Sequence, residues 1–217
     1  MLINPAYIHR HISEKNIDSI IRVPTQYDDD FNSLVLDSKW TVKESAGTVY
    51  LGTLIPSHII IKCSAGTDRY KIEQAYTSTS AVSFTAKVLG PMHVNYSCAM
   101  IEVYDADYSD AMRIRLEYNG NVQLRLASKD SGTDSWSRQV VQLSGNTVHS
   151  TFFIHLQKDS SHNWFAAASL DGLSFVRTAT YNKSFTPGFV QVTVRQDNST
   201  YGCLRGIDWF RKDWLTL

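Results

Sequence analysis

The chain has 217 residues, of which 43% are hydrophobic and 19% are charged. A domain of this length buries about 70% of the surface that its unfolded chain exposes, and the composition excludes an intrinsically disordered protein. Lys plus Arg and Asp plus Glu both total 21, so the formal net charge is zero. Nucleic-acid-binding domains carry a basic excess or a basic stripe, and we therefore expect no nucleic-acid partner.

We expect no membrane span, no secretory signal and no paired cysteines from the sequence. The densest apolar run, Ile59–Ile61, is far shorter than the roughly 18–20 residues of a membrane span, so we expect no membrane partner. Met1–Pro5 lacks the basic and apolar blocks of a secretory signal. Cys63, Cys98 and Cys203 are an odd number without metal-ligand spacing, which favours reduced thiols in the core.

Residues 1–27 differ in pattern from the rest of the chain and are predicted to form a short N-terminal arm. Ser13 is a suitable cap for a helix over 14–21, in which Ile17, Ile20 and Ile21 form a weak apolar stripe. The arm is too short to build a core of its own. It is expected either to pack on the following domain or to dock on a partner.

From residue 28 onward the hydrophobic period is two, which indicates β-strands with one buried face. Turn signals at Asn119-Gly120 and Asp171-Gly172 separate such runs and predict hairpins, the first through a turn with positive φ at both central residues. About twelve to fourteen short strands follow from counting these runs. The pattern predicts an all-β domain over 28–217, a two-sheet antiparallel jelly-roll sandwich. The clearest alternating runs are 82–88, 112–117, 122–126 and 190–195.

Three motifs resemble a known family when they are taken in order. They are 29–40, which contains Asp29-Asp30-Phe31-Asn32 and Leu36–Trp40; 164–175, with Trp164 and Asp171-Gly172; and 202–211, which ends in Asp208-Trp209-Phe210-Arg211. Together they are similar to the concanavalin-A-like lectin/glucanase superfamily over about residues 28–213. The similarity is greatest to laminin-G-like domains and to the non-catalytic sandwich modules of some β-xylosidases.

The resemblance implies that the first and last strands lie side by side. Phe31, Trp40 and Trp209 would then share the core, and Asp30 would approach Asp208. Related sandwiches bridge their terminal strands with calcium, so the resemblance also implies a structural calcium ion at Asp30 and Asp208, which offer hard oxygen ligands. The alternative is that these aspartates are solvated turn and edge residues.

A catalytic site is not expected. The glucanases of this superfamily carry a strand with paired acidic residues, since glycoside hydrolysis needs two carboxylates at a fixed separation. The nearest segment here, Glu102–Asp107, has no second glutamate at that spacing. No other nucleophile or metal motif occurs, so we predict a protein that is not an enzyme and has no catalytic residues.

Glycan binding is the functional hypothesis with the most specific residues. The outward face of the 111–128 hairpin carries planar polar side chains that can bind vicinal hydroxyls, and Trp136, in a polar loop over 129–137, can stack on a sugar ring. The alternative is an ordinary solvated sheet face with cross-strand ion pairs. The candidate ligand-binding residues are Arg113, Arg115, Glu117, Gln123, Arg125 and Trp136.

Two function classes follow, and they share one context. The first is a non-catalytic lectin-like module, and the second is a purely structural capsid or tail decoration protein without a ligand. Both fit a bacteriophage virion protein, made in the host cytoplasm without a secretion signal. Its arm would contact other virion proteins or a second copy, and its sandwich would face cell-surface glycans. A divergent glycoside hydrolase is a third hypothesis, on fold analogy alone.

Overall fold

The computed structural model describes residues 24–53, 58–63, 69–89, 97–144, 151–196, 203–214 and 217. At 63, 134–138, 144, 196 and 203–205 it describes the backbone only. The predicted arm helix over 14–21 lies outside the described residues, as do the side chains of Cys63 and Cys203. Cys98 is fully buried, as predicted. Among the described residues, no helix has the length and hydropathy needed to cross a membrane.

Fifteen antiparallel strands of the described chain form two sheets. In spatial order, the first sheet contains β1 (Thr41–Ser45), β4 (Arg69–Ala75), β14 (Phe189–Gln196), β6 (Ser97–Tyr104), β7 (Ala111–Tyr118), β8 (Val122–Asp130) and β9 (Thr133–Ser144). The second contains β12 (Val176–Arg177), β11 (Asn163–Ser169), β10 (Thr151–Lys158), β5 (Val82–Leu89), β15 (Cys203–Lys212), β3 (Ile59–Cys63) and β2 (Thr48–Leu51), with β13 (Tyr181–Asn182) paired to β11. The predicted two-sheet, all-β sandwich is confirmed.

The alternating runs build the core between the sheets, because every second residue of a strand points to the same face. Met112, Ile114 and Leu116 of β7 are all fully buried there. The predicted hairpin joins β7 to β8, but only Gly120 adopts positive φ, at 72°. The prediction of a turn with positive φ at both central residues is therefore wrong, because the loop has three residues, 119–121, rather than two.

The two ends of the described chain meet, as the resemblance implied. Asp29 and Phe210 exchange two backbone hydrogen bonds, of 3.0 and 2.9 Å. The Phe210 ring lies edge-on to Trp40, with centroids 5.4 Å apart, and stacks on Phe84 at 5.8 Å. Trp40 is 5% exposed, a core residue as the resemblance implied, and Trp164 is fully buried.

Trp209 is not a core residue, and this prediction is wrong. A bulge in β15 between Ile207 and Trp209 inserts Asp208 as an extra residue in the pairing with β5. The bulge reverses the alternation, so Ile207 and Phe210 point inward while Trp209 points outward. The Trp209 ring is half-buried on the outer surface of the second sheet, 5.1 Å from the ring of Trp214.

The outer face of the second sheet is covered by segments of the chain itself. Trp214 stacks on Phe153 with ring centroids 6.0 Å apart, and the backbone N–H of Leu217 donates to Gln157 Oε1 at 3.0 Å. On the same face His155 is fully buried beside the rings of Phe165 and Phe175, with Nδ1 2.8 Å from Thr85 Oγ1. Burial lowers the pKa of His155 to about 4, while its hydrogen bond with Gln157 acts in the opposite direction.

We expect Phe210→Ala to lower the free energy of unfolding by about 3–5 kcal/mol, because it removes an aromatic ring from the centre of the core. Trp209→Ala is the matched control at the neighbouring position and should cost less, since part of its ring is already in water. Urea denaturation of both variants measures the difference. An equal or larger loss in Trp209→Ala would contradict the bulge.

Buried His155 predicts a pH-dependent stability. Between pH 6.5 and 4 the unfolded chain protonates this histidine while the folded protein keeps it neutral. The free energy of unfolding should therefore fall by about 1.4 kcal/mol per pH unit as the pH drops, about 3 kcal/mol in all. Denaturation at pH 7, 5.5 and 4 measures the free energy of unfolding. In His155→Gln the part of its pH dependence that comes from His155 should be missing.

The control for this comparison is the interval from pH 7 to 8, in which histidine is neutral in both states. There the difference in stability between the two proteins should be constant. A difference that also stays constant down to pH 4 would overturn the assignment.

Candidate functional site

The candidate site is the outer face of the seven-stranded sheet, the face that points away from the core. Strand register aligns its side chains in rows that run across the sheet. Glu73 of β4 lies opposite Gln191 of β14, which lies opposite Glu102 of β6, which in turn lies opposite Arg113 of β7. Each residue alternates with a core residue along its strand, which is why polar side chains collect on this face.

Two further rows of side chains cross the sheet in the same way, each displaced by two residues along the strands from the row before it. Both rows align cationic side chains from different strands, and the third row also contains the carboxylate of Glu117. The second row is Lys71, Thr193, Met100, Arg115 and Arg125, and the third is Arg69, Arg195, Cys98, Glu117 and Gln123.

The structure brings four of the five sequence-predicted residues of the 111–128 hairpin into contact, while Arg113 pairs with Glu102 of β6. Glu117 forms ion pairs with both Arg115, at 2.6 Å, and Arg125. Arg125 Nη2 also donates to Gln123 Oε1 at 2.7 Å. The cross-strand ion pairs of the alternative interpretation are therefore present on the same surface as the candidate ligand-binding residues.

The hairpin face is less exposed than the sequence predicts, because Glu117 is 3% exposed and Arg113 is 8% exposed. The reason is topological: β7 and β8 are interior strands, with β6 on one side and β9 on the other. The face is a packed charged layer rather than a solvated one.

Trp136 lies in a strand and not in the predicted polar loop. β8 and β9 continue as a long hairpin, and the chain reverses at Ser131 and Gly132, which have φ values of 49° and 83°. The polar stretch over 129–137 is therefore the end of this hairpin. The Trp136 side chain lies outside the described residues, so its role in binding stays a prediction.

A cavity of about 150 Å³ opens on this face, which we call the outer-face cavity. Glu102 and Thr193 are part of its lining, and Met100 and Tyr104 add apolar surface. Cationic side chains from four strands complete it, namely Arg69, Lys71, Arg113, Lys129 and Arg195. The cavity thus combines one carboxylate with many hydrogen-bond donors.

Glu102 is the buried acceptor of the cavity, with 2% of its surface exposed. It accepts hydrogen bonds from the hydroxyls of Tyr104 and Thr193, both at 3.0 Å, and lies 3.3 Å from Arg113 Nε. Burial raises the pKa of Glu102, but the charges of Arg113 and Lys71 and these hydrogen bonds outweigh it. The pKa lies below its ordinary value, so this carboxylate is ionised at neutral pH.

Gln191 contributes a second buried acceptor beside Glu102. Its Nε2 donates to Glu73 at 2.5 Å, and Glu73 also accepts from the Tyr108 hydroxyl at 2.8 Å. Gln191 Oε1 is buried and accepts no hydrogen bond from the described residues. A buried acceptor without a donor is costly, but Gln191 is not one of the residues that line the cavity.

The sequence did not identify the cavity residues on β4 and β14. Alternation in 69–73 and 191–195 shows that Arg69, Lys71 and Arg195 share a face with other polar residues. Nothing in a single sequence shows that β4 pairs with β14 and that β14 pairs with β6. The hairpin was found because its two strands are adjacent in the chain, and the remaining residues meet only through long-range pairing.

The two aspartates predicted to bind calcium are both engaged by cations. Asp208 lies 3.0 Å from Lys87 Nζ and 3.5 Å from His58 Nε2, and Asp30 pairs with Arg211. Within the described ranges, no group of three or more His, Cys, Asp or Glu side chains could hold a metal ion. Calcium at Asp30 and Asp208 therefore stays a prediction from the resemblance.

Comparison with known proteins identifies the fold but no close relative. No protein-family model and no curated protein sequence matches the chain. The solved structure of the GH43 BlXynB protein from Bacillus licheniformis matches with a TM-score of 0.68 and 11% identity, over 88% of this chain and 40% of that one. The chain therefore spans about 40% of the length of this glycoside hydrolase.

Two further structures match over nearly their whole length. The carbohydrate recognition domain of Emp47p has a TM-score of 0.64 and 11% identity, over 89% of this chain and 97% of that one. The exoplasmic/lumenal domain of VIP36, bound to Ca²⁺ and Man3GlcNAc, has a TM-score of 0.63 and 7% identity, over 88% and 92%. The protein thus has a concanavalin-A-like sandwich fold. At such low identities the similarity carries the fold alone.

Proposed function

We propose that the protein is a non-catalytic, lectin-like module that binds glycans on the outer face of its seven-stranded sheet. The observation that carries this proposal is the outer-face cavity, where ionised Glu102 and five cationic side chains converge. Sugar hydroxyls both donate and accept hydrogen bonds, as serine and threonine hydroxyls do. A site that offers acceptors and donors side by side matches that chemistry.

The apolar part of the cavity supports the same ligand class. Met100 and the Tyr104 ring line it next to the polar groups. Small-molecule sites combine apolar surface with a few polar groups that fix orientation. A pyranose ring has the same division, with C–H groups on its faces and hydroxyls at its edge.

The similar structures give independent support. One is a carbohydrate recognition domain and another is a domain bound to Man3GlcNAc. This fold therefore accommodates sugars in other proteins, although their site residues do not transfer at 11% and 7% identity. The proposal for this chain depends on its own cavity.

A non-catalytic role is favoured over a glycoside hydrolase by the chemistry of Glu102. A hydrolase needs a general acid with a raised pKa and a second carboxylate across the scissile bond. The pKa of Glu102 is lowered, and its oxygens already accept hydrogen bonds from Thr193 and Tyr104. Glu102 is the single carboxylate among the described lining residues of the cavity.

Binding to a glycan array tests the proposal. We expect the full chain to bind glycans, and Lys71→Ala to weaken binding about fivefold to tenfold, as for loss of one charged hydrogen-bond donor. Lys62→Ala is the matched control, since Lys62 is exposed on β3 of the other sheet. Its binding should equal that of the unchanged protein.

Two outcomes would contradict this proposal. A chain that binds no glycan on the array favours the purely structural alternative. Hydrolysis of a bound glycan that is abolished by Glu102→Gln would identify an enzyme instead.

We also infer, from the sequence alone, that the module belongs to a bacteriophage virion. Its formal neutrality is compatible with close packing of copies. In this part of the proposal, residues 1–27 contact other virion proteins or a second copy, while the sandwich faces cell-surface glycans. Mass spectrometry of purified particles tests the location directly.

The predicted apolar stripe of the arm supplies a test of self-association. We expect the full chain to form oligomers through Ile17, Ile20 and Ile21, and the triple substitution of these residues by Ser to yield monomers. Light scattering after size-exclusion chromatography measures the mass. A monomeric unchanged protein would exclude self-association through the arm and leave only other virion proteins as its partners.

A further inference from the structure

We infer that Cys63 and Cys203 are a cross-strand disulfide site, at which oxidation ties β3 covalently to β15. The inference does not depend on glycan binding, since both residues belong to the eight-stranded sheet and the outer-face cavity lies on the other one. It follows from the pairing register of the described backbone, from the distance between the two residues in the sequence and from the position of Cys98.

The register of β3 and β15 places Cys63 directly opposite Cys203. They are the terminal pair of a regular ladder, which continues without a bulge through four more pairs to Ile59 and Ile207. Directly opposed residues of an antiparallel pair have Cα atoms about 4.5 or 5.5 Å apart, depending on the hydrogen-bonding position. Both values lie within the range of about 4.4–6.8 Å that disulfides span. The backbone therefore meets the spacing that a disulfide requires.

The two cysteines come from distant parts of the chain. The sequence contains three cysteines in 217 residues, and two of them occupy one pair of one ladder although about 140 residues separate them. Sequence spacing favoured three reduced thiols, because an odd number of cysteines without metal-ligand spacing indicates no particular pair. The strand register supplies the pairing that the sequence spacing does not.

Cys98 is the internal comparison for this pair. It is fully buried on β6 of the seven-stranded sheet, where the directly opposed residues are Glu117 and Arg195. β3 and β15 belong to the other sheet, so the hydrophobic core lies between Cys98 and both of them. We therefore expect Cys98 to remain a thiol when the other two are oxidised.

The position of the pair determines what the bond does. In the order of the eight-stranded sheet, β3 lies between β15 and β2, and β15 joins this edge to β5. A bond at the terminal pair prevents the ladder from opening at that end. It also closes a loop of about 140 residues, and closing a long loop removes much conformational entropy from the unfolded chain. The oxidised protein should therefore be the more stable form.

Oxidation requires an acceptor of two electrons, and the class we propose is a small-molecule disulfide such as oxidised glutathione. The thiolate of one cysteine attacks it, forms a mixed disulfide and releases one glutathione. The thiolate of the second cysteine then attacks the mixed disulfide, which forms the bond between the two residues and releases the second glutathione. The two cysteines lose two protons and two electrons, and the oxidised glutathione becomes two thiols.

Counting thiols after oxidation tests the inference. The full chain is purified in reductant, freed of it, and incubated in its folded state with oxidised glutathione at pH 8. The remaining thiols are then alkylated in denaturant and counted by mass spectrometry. We expect one alkylated residue, Cys98, where the reduced protein has three. Peptide mapping should locate the bond between Cys63 and Cys203.

Thermal unfolding of the oxidised and reduced forms measures the effect of the bond. We expect the oxidised form to melt about 5–15 °C higher, as for an ordinary disulfide in a domain of this length. Cys63→Ala and Cys203→Ala should each abolish the difference, and the matched control Cys98→Ala should keep it. Each variant is compared with itself in the two states, so a loss of stability from the substitution does not affect the comparison.

Two results would overturn the inference. Three alkylated thiols after oxidation of the folded protein would show that the pair does not form a bond. A bond that includes Cys98 would contradict the register, because Cys98 lies on the other sheet. Absence of glycan binding would count against the proposed function and leave this inference intact.

Discussion

Charge compensation outside the hydrophobic core is the constraint on which the candidate site depends. Glu73, Glu102 and Glu117 are at most 4% exposed, yet they lie on the outer face of the seven-stranded sheet. Burying an unpaired carboxylate costs several kcal/mol, so each must be held by donors from neighbouring strands. The pairing register of the strands places these donors beside the carboxylates, and the same register therefore fixes the geometry of the cavity.

This dependence makes the site rigid. Glu102 is held by hydroxyls on its own strand and on β14, and Arg113 approaches it from β7. No loop has to move to bring these groups together, and groups held in place lose little entropy when a ligand binds. The fold must therefore keep this register, since a shift of one residue in any of these strands would turn the charged side chains toward the core.

The fold was predictable from the sequence, because it depends on local signals that repeat along the chain. Runs such as 82–88 and 190–195 alternate between apolar and polar residues, and glycine-containing turns separate them. The prediction for Trp209 was wrong for a physical reason. The bulge at Asp208 reverses the alternation of inward and outward side chains, and the residue types around it do not indicate a bulge. The candidate site was predictable only in the 111–128 hairpin. Its other half depends on β4 and β14, which join β6 through pairings that are distant in sequence.

The two outer faces of the sandwich have opposite characters, which argues for where binding takes place. On the eight-stranded sheet, His155 is buried beside the rings of Phe165 and Phe175, and this burial lowers its pKa to about 4. On the seven-stranded sheet, cations surround Glu102 and lower its pKa instead. Aromatic rings pack on the outer side of the eight-stranded sheet, while charged side chains surround an open cavity on the seven-stranded sheet. The proposed position of the ligand on the seven-stranded sheet is therefore argued from electrostatics and not from the short sequence motifs of the fold.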